Sequence, residues 1–229
     1  MASEEDILLH YEDRYDEDAR LSESALGQLE LLRTQQLLRR YLPDPPAAVL
    51  DVGGGPGVYA YWLDAAGYEV DLFDIVPRHI RQATERGVRA TLADARELPV
   101  PDNARDAVLL LGPLYHLQDR PDRVKALQEA IRVARPGAPV FAAAISRYAP
   151  AIDGLDSEFF DDPVFAELVE RVTASGLHDN PTDNPNYFTT SYFHLPEDLG
   201  AEMMDAGLVN VDVLAIEGIG WVASNLDDR

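Results

Sequence analysis

The stretch Asp51-Val52-Gly53-Gly54-Gly55-Pro56-Gly57 decides the fold of this chain. It follows the apolar run Ala47–Val52, a predicted buried strand, and opens Pro56–Ala66, a predicted helix that Gly67 closes. A Cβ atom would block both a tight turn and the close approach of the backbone to a ligand. The glycines therefore favour a ligand-binding loop between the strand and the helix.

Outward from this loop, apolar runs alternate with amphipathic stretches, which indicates a parallel sheet with helices on both faces. The further predicted strands are Glu69–Asp74, Arg89–Ala93, Asp106–Leu111 and Ala138–Ile145, and the further predicted helices are Pro77–Arg86 and Pro121–Ala134. The pattern predicts an α/β fold, a Rossmann-like three-layer α/β/α sandwich with a mostly parallel sheet.

The regions on either side of this core differ from it. A helical N-terminal cap occupies 1–45, with a stripe of Leu26, Leu29, Leu37 and Tyr41, and the cofactor-binding core follows at 46–145. An insertion at 146–195 breaks the alternation, and a segment of this length is usually functional, so we expect a part-helical lid. It is rich in aromatic residues: Phe159, Phe160, Phe165, Tyr187, Phe188, Tyr192 and Phe193.

The C-terminal part, 196–229, is expected to complete a single domain. It contains a predicted helix, Pro196–Ala206, and a predicted sixth strand, Leu208–Glu217. The 12 residues after Glu217 leave room for a very short strand at Trp221–Ala223 but not for a helix and a full strand. We therefore expect one of two cases. Either the chain is shorter than related proteins, or the edge of its sheet is built differently and is covered by another element or by a partner subunit. The expected oligomeric state is thus a monomer or a homodimer.

Composition limits the function classes. The 229 residues carry a formal net charge of −22, which disfavours a nucleic-acid partner. The absence of cysteine excludes disulfides and thiolate metal sites, and no apolar run approaches the length of a membrane helix. The acidic N-terminus resembles neither a secretory signal nor a transit peptide, so we expect a cytoplasmic protein with no membrane partner.

The basic residues have an unusual composition, because 18 of the 19 are arginine and Lys125 is the single lysine. Two interpretations remain open. In a salt-adapted, halophilic protein, molar salt screens the self-repulsion of an acidic surface. In a protein from a GC-rich genome, codon bias alone replaces lysine by arginine.

A dinucleotide site is an alternative, because the stretch 55–60 formally fits the pattern GxGxxG/A and the acidic Asp74 ends the next strand. Four other features favour a different ligand. Asp51 lies two residues before the first glycine, and Asp94 follows the third strand. The fourth strand continues into Leu111-Gly112-Pro113-Leu114-Tyr115-His116-Leu117, and Arg135-Pro136-Gly137 precedes the fifth.

Together these motifs resemble the class I S-adenosylmethionine-dependent methyltransferase superfamily, in particular its small-molecule branch of quinone and natural-product enzymes. The resemblance covers about Leu29 to Glu217. It implies S-adenosylmethionine as the cofactor and methyl transfer to a small molecule as the reaction. It also implies that Gly53, Gly55 and Gly57 pass beneath the methionine part of the cofactor.

The resemblance assigns further cofactor contacts. Asp74 is expected to accept from the ribose hydroxyls, with Ile75 packed on the adenine. Asp94 is expected to take the adenine amino group, beside Ala95. Leu111 and Gly112 are expected to lie near the sulfonium, and Asp51 either orients the loop or touches the ligand.

The cap is expected to reach the same site through its aromatic and charged segment, which holds Tyr11, Tyr15 and Arg20. An arginine there suits the carboxylate of the cofactor. An aromatic ring suits the sulfonium through a cation–π contact. A solvated amphipathic helix is the alternative for this segment.

An acceptor that loses a proton calls for a general base, and His116, His194 and Tyr192 are the candidates. His116 follows the fourth strand, at the sheet edge where ligands bind. Packing beside Leu114 and Leu117 is the alternative for His116, and packing within the insertion is the alternative for Tyr192. No metal-ligand spacing occurs, so we expect no metal.

The residues after the fourth strand, Leu-Gly-Pro-Leu, depart from the motif that grips planar amino groups in adenine and glutamine methyltransferases. The aromatic insertion favours an apolar, aromatic or cationic small acceptor. Three alternatives stay open: a protein that binds the cofactor without catalysis, a protein methyltransferase and a nicotinamide-dependent oxidoreductase. The last lacks a Tyr-x-x-x-Lys pair, because Pro121 stands four residues before Lys125.

Overall fold

The computed structural model describes residues 4–182 and 184–218. Its centre is a five-stranded sheet in the order β3-β2-β1-β4-β5, and every pair of neighbours is parallel. The strands are β1 (Ala48–Val52), β2 (Glu69–Asp74), β3 (Arg89–Leu92), β4 (Ala107–Leu110) and β5 (Val140–Ala142). The parallel order confirms the predicted α/β class.

Helices cover both faces of the sheet, because alternate side chains of each strand point to opposite faces. Val49 of β1 packs with one set of buried residues and Leu50 with the other. The first face is covered by α3 (Ala25–Tyr41), α4 (Val58–Ala65) and α5 (Pro77–Glu85), and the second by α6 (Arg120–Val133) and α9 (Pro196–Ala206). The three-layer sandwich is thus confirmed.

The N-terminal cap is helical, as predicted, but it is divided. It consists of α1 (Glu4–Leu9), a π-helical turn (His10–Arg14), α2 (Glu17–Glu23) and α3. Of the predicted apolar stripe of α3, Leu26, Leu29 and Leu37 are half-buried and Tyr41 is exposed. The buried positions are Gly27, Thr34 and Leu38. A Cβ atom on Gly27 would lie 2.3 Å from a carbonyl oxygen of α2, so this glycine lets the two helices approach closely.

The segment 146–195 is part-helical and forms its own apolar cluster. Phe165, Leu168 and Val172 of one helix pack there with Tyr187 and Phe193. Its elements are α7 (Ala149–Asp156), α8 (Pro163–Ser175), the antiparallel pair β6 (Leu177–His178) and β7 (Ser191–Tyr192), and short 3₁₀ turns at Phe159–Asp161 and Pro185–Tyr187. Most of its aromatic residues therefore stabilise the segment itself.

The predicted sixth strand, Leu208–Glu217, was wrong. These residues are irregular and pair with no strand in the described part of the chain. Asn210 has a φ of +56°, which breaks an extended conformation, and Val209 is 80% exposed. Its potential neighbour β5 has only three residues where eight were predicted. The predicted strand at Trp221–Ala223 lies outside the described residues.

A buried ion pair fixes α9 to α6. Arg123 and Glu202 are 2% and 1% exposed and form hydrogen bonds of 2.7–3.0 Å. Arg123 also donates to the carbonyls of Leu117 and Gln118, at 2.7 Å each. The pair thereby anchors the chain that follows β4.

None of the described helices is long and apolar enough to cross a membrane.

Removing one partner of this pair is expected to destabilise the fold strongly. Glu202→Ala leaves a buried guanidinium without its carboxylate, which costs about 3–5 kcal/mol of unfolding free energy. Asp205 lies on α9 like Glu202, but it pairs with the half-exposed Arg120 of α6. Asp205→Ala is therefore expected to cost less than about 1 kcal/mol of unfolding free energy. Urea denaturation measures both, and equal losses would contradict the assignment of Arg123–Glu202 as an anchor.

Candidate functional site

A cavity of about 310 Å³ lies at the carboxyl ends of β1, β2 and β4. Loops from all three strands line it, and Ile7 and Tyr11 of the cap and Thr190 of the segment 146–195 complete the wall. In open α/β sheets ligands bind at this edge, and the volume suits a small molecule. The parallel topology is what brings these loops together.

The floor of the cavity depends on two glycines in contact. Gly53 has a φ of +65°, and a Cβ atom on Gly112 would lie 2.6 Å from the Gly53 carbonyl oxygen. The loops after β1 and β4 can therefore touch only without side chains. Gly55 also lines the cavity. Gly57 does not: it immediately precedes α4 and faces Ala83, so its role is to let α4 pack.

The carboxylate of Asp74 connects the glycine loop to the end of β2. One of its oxygens accepts from the backbone N–H of Gly55 at 2.9 Å, and the other accepts from the N–H of Val76 at 2.8 Å. His79 Nδ1 lies 3.3 Å from the second oxygen. Asp74 and Ile75 both line the cavity.

Asp51 is a buried carboxylate without a partner. The side chain is fully buried, lines the cavity, and neither of its oxygens has a hydrogen-bond partner within the described residues. Burial, together with the nearby charge of Asp74, raises the pKa of Asp51 to about 7. A buried acceptor of this kind is costly unless a donor or a cation satisfies it.

The loop after β3 supplies another carboxylate. Asp94, Ala95 and Leu111 line the cavity. Burial raises the pKa of Asp94, but the hydrogen bonds and charge of Arg96 outweigh it and hold this pKa below its ordinary value. Arg96 also pairs with Asp122 at 2.7 Å. Asp94 therefore stays ionised at the cavity wall.

Of the three cap residues named from the sequence, Tyr11 and Arg20 line the cavity and Tyr15 does not. Arg20 lines the cavity, but Glu17 binds it at 2.7 Å and Glu30 at 2.5 and 3.0 Å. Tyr15 is not on the cavity wall and stacks on His10 instead, with ring centroids 5.2 Å apart. The aromatic ring that the cap contributes to the wall is therefore that of Tyr11.

His116 lies on the cavity wall and is neutral at physiological pH. Burial lowers its pKa to about 4. Nε2 lies 2.8 Å from the hydroxyl of Tyr11 and Nδ1 lies 3.4 Å from the carbonyl of Thr190. Because a carbonyl only accepts, this assigns the proton to Nδ1 and leaves Nε2 as the acceptor for Tyr11.

The other two candidate bases lie elsewhere. Tyr192 and His194 are not on the cavity wall. The guanidinium of Arg123 lies 3.7 Å from the ring centre of Tyr192, and His194 Nε2 lies 3.2 Å from Glu202. The expectation of a base at these positions is therefore corrected, because both side chains belong to the buried anchor between α6 and α9.

Sequence reasoning missed several wall residues, notably Glu17, His79, Tyr115 and Thr190. His79 had a usable signal, since it lies in the first turn of α5, directly after the strand that ends in Asp74. Thr190 had none, because only tertiary packing brings the segment 146–195 to this edge. Among the described residues no group of three or more His, Asp or Glu side chains converges as metal ligands.

The charge of the wall favours a cationic ligand. Of the described residues on it, six are carboxylates and two are arginines, and both arginines are already paired with carboxylates. A pyrophosphate would meet net repulsion at this wall. The geometry thus opposes the dinucleotide interpretation and suits a ligand that carries positive charge.

Comparison with known proteins agrees with this geometry. Residues 49–137 match a family described as "Methyltransferase domain". A ubiquinone/menaquinone biosynthesis C-methyltransferase of Chromobacterium violaceum is 32% identical over 181 residues, which cover 74% of this chain and 70% of that protein. A tRNA (carboxymethyluridine(34)-5-O)-methyltransferase of Arabidopsis thaliana is 28% identical over 149 residues, which cover 65% of this chain.

The chain spans less than half the length of some of these relatives. The share is 35% for the Arabidopsis protein and 45% for a second quinone C-methyltransferase, from Acidiphilium cryptum. Among solved structures, an S-adenosylmethionine-dependent methyltransferase from Mesorhizobium loti matches with a TM-score of 0.60 at 15% identity, over 91% of this chain and 93% of that one. This likeness supports the fold.

The unpartnered carboxylate of Asp51 is expected to make stability depend on pH. The unfolded chain releases this proton near pH 4 and the folded chain near pH 7, so between these values the folded state binds more protons and loses stability as pH rises. We expect the melting temperature of Asp51→Asn minus that of the wild type to increase from pH 4 to pH 7 and then level off. Parallel curves would contradict the assignment.

Proposed function

Because the chain belongs to the class I S-adenosylmethionine-dependent methyltransferases, we propose that it methylates a small molecule held in this cavity, with Asp51 as the anchor for the cofactor's ammonium. The observation that carries the proposal is the buried, unpartnered carboxylate of Asp51 in a cavity whose floor admits no side chain. The ammonium would supply the donor that this carboxylate lacks.

The residues around the cavity fit the remaining parts of the cofactor. Asp74 has acceptor capacity left for the ribose hydroxyls, since each carboxylate oxygen accepts more than one hydrogen bond. Asp94 and Ala95 would meet the adenine edge, with Ile75 on its face. Gly53, Gly55, Leu111 and Gly112 would enclose the methionine part. Arg20 would reach the cofactor's carboxylate only by sharing its donors with Glu17 and Glu30.

When bound, the cofactor supplies a methyl group activated by a positively charged sulfur. The protein's part is to position the acceptor and to exclude water. His116 is the candidate for taking the acceptor's proton, since it is neutral and Nε2 is its acceptor atom. Because Tyr11 donates to that atom, the proton would pass to the Tyr11 oxygen while the Tyr11 proton moves to Nε2.

A small acceptor is favoured because the cavity is covered from two sides, by Tyr11 of the cap and Thr190 of the segment 146–195. That this segment acts as a lid is part of the proposal. Small-molecule acceptors are named for relatives such as the quinone C-methyltransferases and a 27-O-demethylrifamycin SV methyltransferase. The tRNA enzymes among the relatives provide the competing acceptor, against which the net charge of −22 counts.

Calorimetric titration is expected to show micromolar binding of S-adenosylmethionine and S-adenosylhomocysteine and no binding of NADH. Asp51→Asn should weaken both adenosyl ligands about tenfold or more, because it removes a charge-assisted hydrogen bond. Asp64→Asn removes the same charge from an exposed position on α4 and should leave both affinities unchanged. Failure of a folded sample to bind either adenosyl ligand would overturn the proposal.

The acceptor class is tested by supplying cofactor with a tritiated methyl group and a cell extract separated into small molecules, tRNA and protein. We expect the label in the small-molecule fraction. His116→Leu should abolish this labelling while the affinity for S-adenosylhomocysteine changes at most about tenfold, since only one hydrogen-bond acceptor is lost from the wall. Label found only in tRNA or protein would refute the small-molecule acceptor and leave the methyltransferase assignment intact.

A further inference from the structure

The N-terminal strap, defined here as residues 4–16, crosses the carboxyl edge of the sheet above the cavity. It comprises α1 and the π-helical turn after it. Ile7 and Tyr11 pack on Val76, which follows β2, and the N–H of Arg78 donates to Glu12 at 2.6 Å. Arg78 also donates long hydrogen bonds of 3.3–3.4 Å to carbonyls of the strap, and Arg81 pairs with Glu12 at 3.2 Å. Ring contacts join Tyr11 to His79 and His10 to Phe188.

One short side-chain hydrogen bond connects the strap to the opposite wall of the cavity. The hydroxyl of Tyr11 and Nε2 of His116 lie 2.8 Å apart although 105 positions separate the two residues. Burial raises the pKa of Tyr11 well above its ordinary value, so the phenol stays protonated and acts as the donor. The bond therefore pairs a neutral donor with a neutral acceptor.

The same imidazole extends the connection to a third part of the chain. His116 Nδ1 faces the carbonyl of Thr190, at 3.4 Å, so the imidazole bridges the strap and the segment 146–195. Tyr11, His116 and Thr190 all line the cavity. Three parts of the chain thus meet over the ligand space through one histidine.

We infer that Tyr11 and His116 form a latch that closes over bound cofactor and controls its release. Closing makes the Tyr11–His116 hydrogen bond, and opening lifts the strap away from the edge of the sheet. This inference rests on the proposed function, because it requires the cofactor to occupy the cavity. Tyr11 is in this respect a positioning residue, whose effect is on the lifetime of the complex.

The structure of the strap favours opening as a local event. Its helix α1 has only six residues, a length at which a helix has little stability of its own. The turn at His10–Arg14 is π-helical. This conformation is rare in proteins, and where it occurs it is often part of a functional site. The hydrogen bonds between the strap and α5 are partly exposed and mostly long. Exposed hydrogen bonds are a feature of segments that open below the global unfolding free energy.

The test is the dissociation rate of S-adenosylhomocysteine, measured by stopped flow after displacement with excess S-adenosylmethionine. Tyr11→Phe keeps the ring and removes the donor. The net worth of one such hydrogen bond predicts a rate increase between about twofold and about tenfold. The melting temperature of the ligand-free protein serves as the second measurement, since a merely structural loss would lower it without this change in rate.

Two further variants make the result specific. Tyr15→Phe removes a phenol hydroxyl from the same strap, but off the cavity wall, and should leave the dissociation rate at the wild-type value. His116→Gln retains an acceptor for the Tyr11 hydroxyl, whereas His116→Leu does not, so we expect Gln to lie nearer the wild type.

The outcomes separate the latch from the proposed function. Equal dissociation rates for the wild type and Tyr11→Phe would overturn the latch and leave the cofactor assignment intact. Equal acceleration by Tyr11→Phe and Tyr15→Phe would overturn it too, because the effect would then belong to the strap as a whole. Absence of S-adenosylhomocysteine binding to the wild type would overturn the proposed function itself, and the latch with it.

Discussion

Strand β1 is hydrogen-bonded to β2 on one side and to β4 on the other, and all three strands run in the same direction. Parallel pairing puts their carboxyl ends at one edge of the sheet, and the chain leaves them toward helices on opposite faces. The loops after β1 and β4 meet there, with Gly53 and Gly112 in direct backbone contact. Every other part of the site is arranged around this meeting point.

Electrostatics follows from the same arrangement. Asp51 lies within β1 and is fully buried, while Asp74 at the end of β2 is held by two backbone N–H groups. The carboxylate of Asp51 is thus a buried acceptor without a hydrogen-bond partner among the described residues, whereas each oxygen of the Asp74 carboxylate has one. An unpartnered carboxylate reduces the stability of the empty protein and favours a cation in the cavity, so stability and ligand preference are two consequences of one buried group.

The parts of the chain outside the sheet determine access. The strap and the segment 146–195 meet at His116, which follows β4, and the chain just beyond it is anchored by Arg123 and Glu202. The anchor is buried and charged, so it fixes the position of this loop, whereas the strap is held by a small apolar cluster and by partly exposed hydrogen bonds to α5. A rigid loop opposite a weakly held strap is the arrangement expected where a ligand has to enter and leave.

The sequence by itself determined the alternation of strands and helices in the core, the glycine loop, and Asp74 and Asp94 at the strand ends, because these depend on local periodicity and on residue types with few conformational alternatives. It also placed His116 at the correct edge. The tertiary structure decided that Tyr11 rather than Tyr15 lines the cavity, that Tyr192 and His194 belong to a buried anchor, and that Leu208–Glu217 forms no strand. Each of these depends on which distant segment a side chain or a strand edge contacts. Local sequence patterns do not determine such contacts, because the residues involved are far apart along the chain.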